Sequence, residues 1–134
     1  ATTKKTIKAK ADCVETELKD RLETRLGSTP LQRFIPYVQM YEFEALLFSD
    51  PQKFAKGLFH PELKTEFQTI RDSFETPEDI NDSPDTAPSK RVESLVPAYD
   101  KPLYGALAAV EIGLSIMRRE CRLFDAWLQR LERL

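Results

Sequence analysis

The stretch from Arg33 to Pro51 constrains the chain most, because its first half alternates like a strand and its second half steps like a helix. Phe34, Val38 and Met40 fall on one side of an extended backbone, with Ile35 and Tyr37 on the other. Apolar residues on both sides require cover on both faces, as in a parallel or mixed α/β sheet. Phe43, Leu46 and Leu47 then follow at i, i+3 and i+4, the spacing of one or two helical turns. Between the halves stand Glu42 and Glu44, at the carboxyl end of the expected strand, where open α/β sheets place their chemistry.

Around this stretch the pattern is helical. After a basic, polar segment (residues 1–10) read as a flexible tail, Val14, Leu18, Leu22 and Leu26 recur every fourth residue, and Gly27 stands where a helix would stop. Asp50-Pro51, His60-Pro61, Thr76-Pro77 and Asp100-Lys101-Pro102 are start signals, a capping side chain beside a proline that fits the first turn. Leu63, Phe67, Ile70 and Phe74 form one apolar stripe, and Leu103, Leu107 and Val110 form another, closed by Gly113. Thr86 is expected to cap a short helix carrying Lys90, Arg91, Val92 and Leu95, and Pro97 to end it. The last segment, with Met117, Cys121, Phe124, Leu128 and Leu131 on one face, reads as two helices or one kinked near Cys121. Residues 11–134 are therefore expected to form a single domain, mainly α with one or few strands: a strand near 33–40, then six or so short helices. A lone strand cannot satisfy its own backbone, so its partners are expected outside the chain, in a missing segment, a second copy or another protein. The alternative is that residues 33–40 are extended coil packed under helices.

Charge narrows the functional classes only a little. A net charge of −2 over 134 residues gives no global basic field for nucleic acid. Two widely separated cysteines and a single histidine argue against structural zinc and suit a reducing cytoplasm. No apolar run approaches the roughly 18 residues of a membrane span. Two local groups can carry chemistry. In extended geometry Glu42 and Glu44 point to one side and can share a divalent ion such as Mg²⁺, whereas in a helix they diverge. The plainer reading has Glu42 serving a helix dipole and Glu44 solvated. Ser89, Lys90 and Arg91, in the first turn of their helix, could hold a phosphate, or their cations could be balanced by Asp82 and Asp85 just before them.

Three motifs carry a resemblance: Arg33 to Pro51, Thr76 to Arg91, and Phe124-Asp-Ala-Trp-Leu128. In this order and spacing they resemble the bacterial domain-of-unknown-function family 4276, over roughly residues 12–133. The resemblance implies a TOPRIM-like α/β fold of which this chain is the C-terminal part, the family's Val-Glu-Gly strand and a later acidic strand end lying upstream. It also implies a Mg²⁺-dependent nuclease subunit acting on DNA beside an ABC- or SMC-like ATPase in anti-phage defence. Glu42 and Glu44 would then be catalytic and metal-binding, and Ser89, Lys90 and Arg91 would bind substrate. Two expected acidic stations are missing, and Tyr41 stands where members commonly carry histidine. The competing expectation is a non-catalytic helical interaction module. A homodimer suits either.

Overall fold

The computed structural model describes residues 5–81 and 84–134. Its helices are α1 (Ile7–Leu26), α2 (Ser28–Leu31), α3 (Glu44–Leu47), α4 (Pro51–Gly57), α5 (Lys64–Asp72), α6 (Pro88–Leu95), α7 (Ala106–Ile112), α8 (Leu114–Glu120) and α9 (Arg122–Glu132). Short 3-10 turns at Pro61–Leu63, Pro77–Asp79 and Pro84–Thr86 and a π turn at Lys101–Gly105 join them. Most expected starts are present. Thr6 caps α1 through its side chain, earlier than the periodicity suggested, so residues 7–10 are helical and only residues 1–4 of the expected tail lie outside the described residues. Asp50 accepts from the Lys53 N–H with Pro51 at the first position of α4, and Thr76 with Asp79 closes a capping box. Gly27 and Gly113 end α1 and α7 at φ +80° and +84°, backbone that glycine adopts without a Cβ penalty. Thr86 does not cap α6; Ala87 holds that position, with Pro88 first in the helix.

The expectation of an α/β fold is wrong for these residues. No strand occurs among the described residues, and positions 33–40 are irregular backbone between α2 and α3. The coil alternative is the one the chain adopts, and its side chains explain how it is held. The Tyr37 ring stacks on Trp127 of α9, with centroids 4.6 Å apart and planes 16° from parallel. The Tyr37 hydroxyl donates to Gln39 Oε1, and Gln39 Nε2 donates to the Glu42 carbonyl at 3.2 Å. Lys10 Nζ of α1 reaches the Tyr41 hydroxyl at 3.2 Å. Between Phe34 and Tyr41 only Pro36 is fully buried, the one residue without an N–H to satisfy. The neighbouring residues are only partly buried, so this geometry needs no ladder. Alternating apolar residues here mark a coil gripped from two sides.

The core lies beyond this coil. Phe48, Phe54 and Phe67 meet edge-on or tilted, at 5.1 Å between Phe48 and Phe54 and 4.9 Å between Phe54 and Phe67, arrangements aromatic quadrupoles favour. Leu47, Leu58, Val92, Ala108 and Ile112 close around them. α4 and α7 approach so closely that a Cβ at Gly57 would stand 2.6 Å from the Ala108 Cα. The whole of α3 is buried, including Glu44, and that fact organises the candidate site.

Candidate functional site

Phe43 has helical φ and ψ and Glu44 is the first residue of α3, so Glu42 and Glu44 are not two steps of one extended strand. They diverge, yet they end within one cluster. Glu42 turns toward α6, and its Oε2 accepts from the Ser89 N–H at 2.7 Å. Ser89 is the second residue of that helix, so the carboxylate meets a free first-turn N–H and the positive end of the dipole. Glu44 turns inward and has 0 % exposure. Its Oε1 accepts from the Tyr99 hydroxyl at 3.0 Å. Its Oε2 lies 3.1 Å from Lys101 Nζ, an ion pair by distance. The ammonium approaches outside hydrogen-bonding angles, so this buried oxygen has a charged neighbour and no donor.

Burial first, and then the Glu44 and Glu42 carboxylates, push the Tyr99 phenol well above its ordinary pKa. The phenol therefore stays protonated and can donate to Glu44. Lys101 opens the π turn, a helix defect frequent at functional sites. At the end of that turn Gly105 makes room: a Cβ there would sit 3.1 Å from the Tyr99 hydroxyl and 3.3 Å from the Phe43 ring.

Of the residues expected to bind substrate, Ser89 and Lys90 join the cluster. Lys90 Nζ pairs with Glu93 at 3.0 Å, which with a smaller contribution from Glu42 raises its pKa. Arg91 turns away: its Nε donates to the Thr86 carbonyl at 2.7 Å, and its guanidinium lies over the Phe74 ring, 5.2 Å from the centroid. The expected balancing acid Asp82 lies outside the described residues; at the α6 terminus the Glu42 carboxylate accepts from the Ser89 N–H.

The scan against protein families matches residues 2–132 to the model described as Domain of unknown function (DUF4276). The chain belongs to the DUF4276 family. Comparison with curated proteins and with solved structures returned no match.

The sequence reading missed Tyr99, Lys101 and Glu78. Tyr99 and Lys101 lie more than fifty positions from Glu44 and no periodicity links them. The only local hint was Asp100-Lys101-Pro102, read as a helix start. Glu78 repeats what Glu42 does: buried at the Pro77–Asp79 turn, it accepts from the Leu123 N–H at 3.0 Å and the Phe124 N–H at 3.2 Å, the open first turn of α9. Its pKa is raised by burial, with those two N–H groups opposing the shift.

Mg²⁺ takes hard oxygen ligands in a near-octahedral set. The donors suit a hard cation in kind, being carboxylate oxygens, and the donorless Oε2 of Glu44 is an acceptor with capacity to spare. They fall short in number, because no group of three or more His, Cys, Asp or Glu able to hold a metal occurs among the described residues. No helix among them is long and apolar enough to cross a membrane.

Proposed function

We propose that this chain contributes the glutamate-bearing wall of a Mg²⁺-dependent nuclease that acts on DNA with an ATPase partner. The observation that carries the reading is the buried Glu44 carboxylate, whose Oε2 faces a lysine and has no hydrogen-bond donor. A buried carboxylate oxygen left without a donor is rare in a folded protein and calls for an explanation. Glu44 Oε2 would face the ion, whose chemistry is to offset negative charge on a phosphodiester and its attacking oxygen; the described residues do not complete a site for it by themselves. Further ligands would come from polypeptide outside these residues. Tyr99 orients Glu44 by donating to Oε1, the α6 terminus orients Glu42, and Lys101 keeps Glu44 balanced with its ammonium. The nuclease chemistry and the ATPase partner rest on the family resemblance.

A second reading, a helical interaction module without catalysis, draws on a specific feature as well. Glu42, Glu44 and Lys90 each have a partner inside the fold, so the cluster is electrostatically settled without a ligand. Two measurements separate the readings. Mn²⁺ titration followed by NMR should broaden the Ser89 amide and the Tyr99 ring, and Glu44→Gln should remove the effect. DNA cleavage assayed with the ATPase should require Mg²⁺ or Mn²⁺ and fall at least about a hundredfold in Glu44→Gln. Absence of both site-specific broadening and cleavage refutes the nuclease reading and leaves the interaction module.

A further inference from the structure

The cation beside the buried Glu44 carboxylate is Lys101, and it is held loosely. Its Nζ stands 3.1 Å from Oε2 without donating a hydrogen bond to it, so the attraction is that of a point charge. No other partner holds the ammonium among the described residues, and Lys101 is half exposed while Glu44 is wholly buried. An ion pair kept for structure closes with aligned donors that offset the water both groups have lost. Here Oε2 has left water and found no donor in its place.

The surroundings also carry more negative charge than one ammonium offsets. Glu44, Glu42 and Asp100 all act on the Tyr99 phenol and push its pKa up. Lys90, the next cation of the cluster, is paired with Glu93 at 3.0 Å. A buried acceptor with spare capacity and a monovalent charge loosely beside it suits the exchange of that charge for a stronger one. We propose that the Lys101 ammonium is a resident stand-in for a divalent cation at Glu44, so that Oε2 becomes open to an ion only as the lysine swings out to solvent. This rests on the reading of Glu44 as the acid that faces the ion. It also gives the shortage of ligands a consequence: where the described carboxylates are too few to hold a metal, the lysine keeps Glu44 neutralised. Lysine carries its charge on a flexible four-carbon stem, so its exit needs only side-chain rotation. The Tyr99 hydroxyl stays on Oε1 and keeps the carboxylate oriented.

Mn²⁺ titration followed by NMR tests the exchange without a cleavage assay. The Tyr99 ring should broaden at Mn²⁺ concentrations at least about tenfold lower in Lys101→Met than in the wild type, because the competing positive charge is gone. Lys101→Arg should bind no more tightly than the wild type. Lys64→Met, which removes the same charge from an exposed position of α5, should leave the midpoint unchanged. Mg²⁺ titration of wild-type protein with lysine labelled at Cε covers the case in which Lys101→Met fails to fold: the Lys101 Cε signal should move with the same midpoint as the Tyr99 ring. A folded Lys101→Met with the wild-type midpoint overturns the proposal. So does a Tyr99 ring that responds while Lys101 Cε stays unmoved, or a wild type without response and no Lys101 variant that binds more tightly. Failure of the nuclease reading looks different: tight Mn²⁺ binding by Lys101→Met, with no DNA cleavage beside the ATPase, removes that reading and leaves the exchange standing.

Discussion

Replacing Glu44 by glutamine separates a carboxylate kept for structure from one kept for function. The Lys101 ammonium lies 3.1 Å from Oε2, which at an effective dielectric near 20 would be worth about 5 kcal/mol of attraction. Lys101 is half exposed, and solvent screening reduces the usable part to about 1 kcal/mol. Against this stands the cost of withdrawing a carboxylate from water, several kcal/mol even after the protein relaxes. Glutamine retains an oxygen for the Tyr99 hydroxyl, now 3.0 Å from Oε1, and removes the buried charge, but its amide N–H group takes the buried place of Oε2 without an acceptor, and Lys101 must turn to solvent. The relieved charge burial and the unpaired amide N–H oppose each other, so the expected result is stability within about 1–2 kcal/mol of the wild type, a shift in Tm of no more than about 6 °C for a domain of this size. Glu44→Ala should instead lose about 2–4 kcal/mol, since it strands the Tyr99 hydroxyl and leaves a cavity. Urea and thermal unfolding followed by circular dichroism measure both. If Glu44→Gln falls more than about 2 kcal/mol below the wild type, the ion pair is a net stabiliser. Burial of Glu44 then has a structural explanation and the case for function loses its main support.

The remaining expectations concern the frame around the site. Glu78→Ala should lower stability by about 2–3 kcal/mol, because two partly buried N–H groups at the start of α9 lose a charged acceptor; a loss below about 1 kcal/mol would show that water replaces it. Gly57→Ala should cost about 1–3 kcal/mol by forcing α4 and α7 apart, read as a fall in the urea midpoint at constant slope. Burial pushes the Cys121 thiol up to about 12, against a small opposing effect of the Ser49 hydroxyl 3.2 Å away. The native protein should therefore give one fast thiol reaction near pH 8, at exposed Cys13, and a second only on unfolding. The sign for stability follows: above about pH 9 the unfolded chain releases this proton before the folded one does. The Cys121 contribution is thus intact below pH 9 and is lost as pH rises toward 12. A Cys121→Ser variant whose unfolding free energy falls equally steeply over that range would contradict the assignment.

Helix boundaries were legible in the sequence because they are local. Asp50-Pro51 and the Thr76 capping box satisfy N–H groups a few positions away, and Gly27 and Gly113 supply a backbone conformation that needs no distant partner. The break near Cys121 was readable for the same reason, and α9 restarts at Arg122, directly after it. What residues 33–40 become was not local. Alternating apolar residues state that two faces are covered and do not state by what, and Trp127 of α9 covers one of them, ninety positions away from Tyr37. The same limit applied to the two glutamates. The sequence placed them side by side at an element boundary, but only packing decided that Glu42 serves the α6 terminus while Glu44 goes into the core against Tyr99 and Lys101. A cap depends on the next few residues, whereas the partner of a buried charge depends on which distant segments pack beside it.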